Sequence, residues 1–201
     1  TRTAQAAPDG YTIMMGHMGT HGAAPALYPN LKYDPTKDFE PIGMAAGTPI
    51  LIVAKKTFPA KDLKEFLAKA KADGDKVNEA HAGIGSVSHT TCLLLNAIAT
   101  PERSPALPDV PTTKEAGLPE YQVSAWNAVF APKGTPKDIT AKLNDALQKA
   151  LADENTRKRL LELGAVLPDK AGQTQEALGI FVGQEVARWT PVIKASGAVG
   201  Q

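Results

Sequence analysis

Short apolar, partly β-branched runs alternate with stretches of helical period along this 201-residue chain, and that alternation limits the fold more than any other feature. Residues 11–15 follow the turn signal Pro8-Asp9-Gly10 and predict a buried strand. Residues 49–54, Pro-Ile-Leu-Ile-Val-Ala, are the best strand candidate; 77–82 are a weaker one and 123–131 another. Between them the period changes. Leu63, Phe66, Leu67 and Ala70 follow i, i+3, i+4, i+7, with Lys61, Lys64, Lys69 and Lys71 off that stripe. A helix after His89 carries Cys92, Leu95 and Ile98. Thr135 is placed as an N-cap with Pro136 at the first helical position, and Ile139, Leu143, Leu147 and Ala150 as the buried face. A further helix ends at Gly164, and a last one starts near Thr174 and buries Leu178, Phe181, Val182, Val186 and Trp189. Residues 25–41 are proline-punctuated and hold no long helix, and the five prolines in 100–120 predict a surface connection. Strands alternating with helices give an α/β fold, helices packed on a sheet.

Charge narrows the function classes. Lys plus Arg number 22 against 21 Asp plus Glu, with no basic stripe, which argues against a nucleic-acid partner. No run of about 18 apolar residues is present to span a bilayer. The lone Cys92 forms no intrachain disulfide and no CxxC metal or redox motif. The first eight residues carry no apolar h-region, so the start reads as the interior of a protein and an export signal is expected outside this chain.

Two glycine-rich loops carry the chemistry. Gly16-His17-Met18-Gly19-Thr20-His21-Gly22 follows the first strand, and Gly83-Ile84-Gly85-Ser86-Val87-Ser88-His89 follows the weaker one and opens a helix. Free backbone N–H groups and serine hydroxyls at such places suit a carboxylate or phosphate. The plainer alternative is ordinary turn and N-cap residues. A dinucleotide site fails, because Ser88 stands where the third glycine belongs and Glu102 falls in the proline-rich connection. His17 and His21 have the i, i+4 spacing of zinc ligands, but glycines at 16, 19 and 22 make a helix improbable and Met18 replaces the HExxH glutamate, so neither a metal nor a cofactor is expected. His81 is expected on a strand as a satisfied histidine. Ser86 or Ser88 with a histidine would make a hydrolase, yet the G-x-S-x-G elbow fails at Ile84 and Ser88. Trp126 reads as core or, less often, as a pocket wall; Trp189 and Cys92 read as packing.

An ordered series of strings then resembles one family. Pro8-Asp-Gly-Tyr-Thr12 precedes the first loop, followed by Pro25-Ala-Leu-Tyr-Pro29 and by Tyr33-Asp-Pro-x-Lys-Asp-Phe-x-Pro41. Ala82-Gly-x-Gly-Ser-x-Ser-His89, Arg103-Ser-Pro-Ala-Leu-Pro-Asp-Val-Pro-Thr112, Glu115-Ala-Gly-Leu-Pro119 and Phe130-Ala-Pro-x-Gly-Thr-Pro136 complete it. Together they resemble the Bug-type (TctC-like) receptors of tripartite tricarboxylate transporters. The resemblance implies a bilobed periplasmic-binding-protein fold of type II, two α/β lobes joined by crossing strands. Lobe one would hold 1–52 and 121–201, and lobe two 53–120. It also implies a periplasmic solute receptor, not an enzyme, that closes on a small organic acid and delivers it to membrane permease subunits, with a sensor protein as a further partner. His17, Met18, Gly19, Thr20 and His21 would meet the ligand from lobe one, Gly83, Gly85, Ser86, Ser88 and His89 from lobe two, and Trp126 would line the cleft. The chain departs from the pattern in lacking the family's first strand and in an internal gap near 97–100, which leaves lobe two incomplete. A hydrolase and a ligand-presenting sensory or interaction protein are the alternatives.

Overall fold

A computed structural model describes residues 1–51, 53–73, 80–83, 86–93, 123–196 and 198–200. In chain order these form β1 (Met14–His17), a π-helical turn (Met18–Ala23), α1 (Ala24–Leu27), β2 (Phe39–Pro49), α2 (Leu63–Asp73), α3 (Val87–Leu93), β3 (Ser124–Pro132), α4 (Lys137–Ala152), α5 (Glu154–Glu162) and α6 (Gln175–Ser196). The mixed α/β reading holds.

β3 lies between β1 and β2 and pairs antiparallel with both. Met14 faces Phe130 and His17 faces Asn127 on one side; Phe39 faces Pro132 and Pro49 faces Ser124 on the other. Alternation along β3 puts Trp126, Ala128 and Phe130 on one buried face. Against that face pack the π-turn, α1 and α6, whose buried stripe is Leu178, Val182, Glu185, Trp189 and Ile193. Burying each large apolar side chain fully contributes about 1.5–3 kcal/mol, so this layer dominates the described core.

The second strand differs from its sequence reading. It runs over 39–49 and not 49–54; Leu51 and Val53 are exposed and outside any strand. The last described pair of the ladder is Pro49 with Ser124, the first residue of β3. Pro41 is tolerated inside β2 because the register shifts between Pro41 and Gly43, a bulge that relieves the missing donor. His81, expected on a strand, is exposed and in none. The first glycine-rich loop is likewise no open loop but a π-helical turn.

The helices follow the apolar periods closely. α2 spans the predicted stripe, and α4 starts one residue later than its cap signal predicted. Pro136 takes the cap position, while the Thr135 hydroxyl donates back to the Pro132 carbonyl at 2.8 Å. Ile139, Leu143 and Leu147 are half-buried; Ala150 is exposed and Leu151 takes its place. α5 closes as expected. Gly164, at φ 74°, sends its N–H to Leu161 and Ala165 sends its own to Leu160, the double bond of a Schellman motif. α6 starts at Gln175, next to the expected Thr174, whose hydroxyl accepts the Ala177 N–H, and Phe181 and Val186 are half-buried beside the fully buried stripe. Of the weak strand expected over 77–82, residues 80–82 are in no strand, and residues 77–79, Leu95, Ile98, the connection 100–120 and Gly85 lie outside the described residues.

Candidate ligand site

The π-turn is held by its own side chains. His17 Nδ1 accepts the Gly19 N–H at 3.0 Å, and the Thr20 hydroxyl accepts the His17 N–H at 3.0 Å, a reciprocal cap. That hydroxyl also donates to the His17 carbonyl at 3.1 Å and lies 2.9 Å from His21 Nδ1. With the hydroxyl proton on the carbonyl, the third contact needs a proton on Nδ1 and leaves His21 Nε2 as a bare acceptor. Tyr33 fixes the turn from outside, its hydroxyl donating to the Thr20 carbonyl at 2.8 Å.

His21 itself is fully buried. Its ring stacks on Phe130 with centroids 4.1 Å apart and stands near Phe39 at 5.0 Å and Tyr33 at 6.4 Å. Nε2 has no hydrogen-bond partner among the described residues. Burial, and more weakly the charges of His17 and the Thr1 ammonium, push its pKa down to about 4. His17, half-buried, is lowered for the same first reason. Gly16 makes the stacking possible: a Cβ there would lie 2.5 Å from His21 Cε1 and 2.6 Å from Phe130 Cε2.

Three of the expected ligand contacts are packed inward. Met18 is fully buried in the core cluster, His21 is enclosed by aromatic rings, and Trp126 is 2% exposed with its indole N–H donated to Glu185. An apolar side chain beside a strand is drawn inward by burial, and the loop's polarity did not reveal that its turn folds back over the sheet. His17, Gly19 and Thr20 form the cap instead, with Gly19 buried and the other two half-buried.

The second loop is organised around two serines. Ser86 Oγ accepts the His89 N–H at 3.1 Å and lies 3.1 Å from Ser88 Oγ, which accepts the Ala82 N–H at 3.0 Å. Gly83, at φ 113° with open space at its Cβ position, gives its N–H to His81 Nδ1 at 3.1 Å. The His81 and His89 rings lie 4.6 Å apart. Ser86 and Ser88 thus bond each other and the backbone, which is turn and cap geometry rather than the activated hydroxyl a hydrolase needs. Ser86 and Ser88 are half-buried and His89 is 8% exposed. The structure brings the two loops together: α3 packs on the π-turn and on α6, and the Thr90 hydroxyl points at Met18 Sδ, 4.0 Å away.

Sequence reasoning missed one polar group beneath this pair of loops. Glu185 Oε2 accepts the indole N–H of Trp126 at 2.8 Å and of Trp189 at 3.2 Å, and its other oxygen lies 3.7 Å from Arg188. An acidic residue seven positions after Leu178, on the stripe that also holds Trp189, was the available signal. No helix among the described residues is long and apolar enough to cross a membrane.

Comparison with known proteins places this geometry in context. A family model described as tripartite tricarboxylate transporter family receptor matches residues 1–97 and 92–198. MatC of Rhodopseudomonas palustris, solved with bound malate, superposes with a TM-score of 0.84 at 40% identity, over 96% of this chain and 82% of its own. The periplasmic binding protein BugD superposes with a TM-score of 0.84 at 32% identity, over 100% of this chain and 83% of its own. An adipate-bound R. palustris protein gives 0.85 at 25% identity, over 98% of this chain and 82% of its own. In sequence, a UPF0065 protein of Agrobacterium vitis is 32% identical over 243 positions, taking in 96% of this chain and 70% of its own length.

Proposed function

Because this chain belongs to the receptor family of the tripartite tricarboxylate transporters, we propose that it is a periplasmic solute receptor that binds a small carboxylate between two lobes and delivers it to the transporter's membrane subunits. Family membership carries receptor activity, not turnover. The observation that carries the ligand class is the likeness to malate-bound MatC, 40% identical over 96% of this chain. The acid would sit where the second loop meets the π-turn, with donors from His17, Gly19, Thr20, Gly83, Ser86 and Ser88 and from the backbone between them. Hydroxyls and backbone amides there are already engaged within each loop, which favours a site completed by ordered water and by small shifts on closure.

The lobes are read as 1–52 with 121–201, and 53–120. β2 ends at Pro49 and β3 starts at Ser124, so the chain leaves and re-enters the sheet at neighbouring positions, as crossing strands require. The alignment to the A. vitis relative spans 243 positions with 96% of these 201 residues, so roughly 50 positions of that relative face no residue here. The family match breaks in two at 92–97. Both support a second lobe shortened near 97–100.

The test is a thermal-shift titration of the purified chain with malate, adipate, citrate, benzoate and glutamate. A ligand at 100 times its Kd adds about 2.7 kcal/mol, and at about 2–4 °C per kcal/mol for a domain of this size the melting temperature rises by about 5–11 °C. The rise must grow with concentration. If no acid moves the melting point while an ester is hydrolysed, the reading is wrong.

A further inference from the structure

We propose that Glu185 is a positioning residue for the ligand loop: through the two indoles it holds, it sets where the π-turn over 18–23 sits. The inference rests on the receptor reading for the ligand that the turn serves. Both tryptophans of the chain converge on one carboxylate oxygen, which is an uncommon use of a buried acid. Glu185 is 7% exposed, Trp126 2% and Trp189 1%, so these bonds are shielded from water and hold the rings in fixed orientations. Trp126 belongs to β3 and Trp189 to α6, so the carboxylate joins the sheet to the helix packed on it.

The π-turn rests on that joint. A Cβ built on Gly22 would meet Trp189 Cδ1 at 3.4 Å, Glu185 Cβ at 3.5 Å and Met18 Cγ at 3.8 Å. Cδ1 is the carbon bonded to the indole nitrogen, so the edge of Trp189 that donates to Glu185 is the edge on which the turn lies. Losing that acceptor frees the indole to turn, and any rotation of it moves the surface beneath Gly22 and Met18. Arg188 closes the cluster from outside, 3.7 Å from Glu185 Oε1 and 5.4 Å from the Trp189 ring centroid. The turn's own cap of His17, Thr20 and Gly19 keeps it internally rigid, so the displacement passes to the whole turn rather than being absorbed within it.

The test uses the full chain with Glu185→Gln, Glu185→Leu and Trp189→Phe. Amide hydrogen exchange without ligand is followed in the peptides covering 18–23 and in α4, and malate is titrated in parallel. Glu185→Leu is expected to speed exchange in 18–23 at least tenfold more than in α4 and to weaken malate binding at least tenfold. Glu185→Gln, which keeps an oxygen acceptor, recovers most of both, and Trp189→Phe falls between. Should Glu185→Leu fail to fold, the other two variants carry the same comparison. Exchange that rises equally in α4, exchange in 18–23 that stays unchanged, a Gln variant as damaged as the Leu variant, or a loosened turn with unaltered malate affinity would each overturn the proposal. If the unaltered chain binds no malate while exchange in 18–23 responds as expected, the ligand reading fails and the positioning of the turn stands. If it binds malate and the variants do so equally, the reverse holds.

Discussion

Replacing His21 with leucine should remove most of this protein's extra sensitivity to mild acid. The imidazole is fully buried against Phe130, and its pKa is pushed down from 6.5 to about 4, first by burial. Between those values the unfolded chain binds a proton that the folded chain excludes. Stability from this group is therefore complete above pH 6.5, falls as the pH drops, and levels off below about pH 4. Across that window each pH unit removes about 1.36 kcal/mol, so moving from pH 7.5 to pH 4 should cost the unaltered protein about 3 kcal/mol at this site alone. The pKa of His17 is lowered too, which adds to the slope, and that residue is kept in the variant. His21→Leu loses the contact to Thr20 and the ring stacking, so at pH 7.5 it should be less stable by about 1–2 kcal/mol. Urea unfolding of both proteins at pH 7.5, 6, 5 and 4 supplies the comparison. The two stability curves should converge on acidification and cross between about pH 5 and about pH 6. If the gap between them stays constant down to pH 4, His21 does not resist protonation and the burial argument fails.

Asn144→Ala should lower stability by about 1–3 kcal/mol, since its amide donates to the carbonyls of Ile42 at 2.6 Å and Gln173 at 2.9 Å and ties α4 to both; a change in unfolding free energy below about 0.5 kcal/mol would contradict this. Gly164→Ala places a Cβ at φ 74° and should cost about 1 kcal/mol, read as a melting temperature about 2–4 °C lower, with no effect if the Schellman end can re-form another way. Ser86→Ala and Ser88→Ala should each weaken acid binding about fivefold, equivalent to about 1 kcal/mol, by calorimetric titration; unchanged affinity in both would remove these hydroxyls from the site.

The candidate site was only partly legible. Both loops were found from their glycines and serines, and the Ser86 cap on the helix carrying His89 has the form that a strand-to-helix turn predicts. The side-chain directions in the first loop were not found. Gly16, Met18 and His21 look in sequence like an open polar loop, whereas Gly16 lies in β1 and the π-turn packs Met18 and His21 inward. Local pattern cannot report this, because the rings that enclose His21, from Tyr33, Phe39 and Phe130, all lie beyond its own turn in sequence and Phe130 comes from β3.

Helical period and cap chemistry, which depend only on near neighbours, gave the sequence control over what is local: the stripe of α2, the Gly164 stop and the Thr174 start. The ordered strings from Pro8 to Pro136 likewise carried the family. Tertiary structure alone decided the rest. It ended β2 at Pro49, paired with Ser124, and left Leu51 and Val53 exposed although the strongest strand-like run includes them. It also put a carboxylate at a core position of α6, where only the meeting of two indole N–H groups from different elements makes burying it favourable.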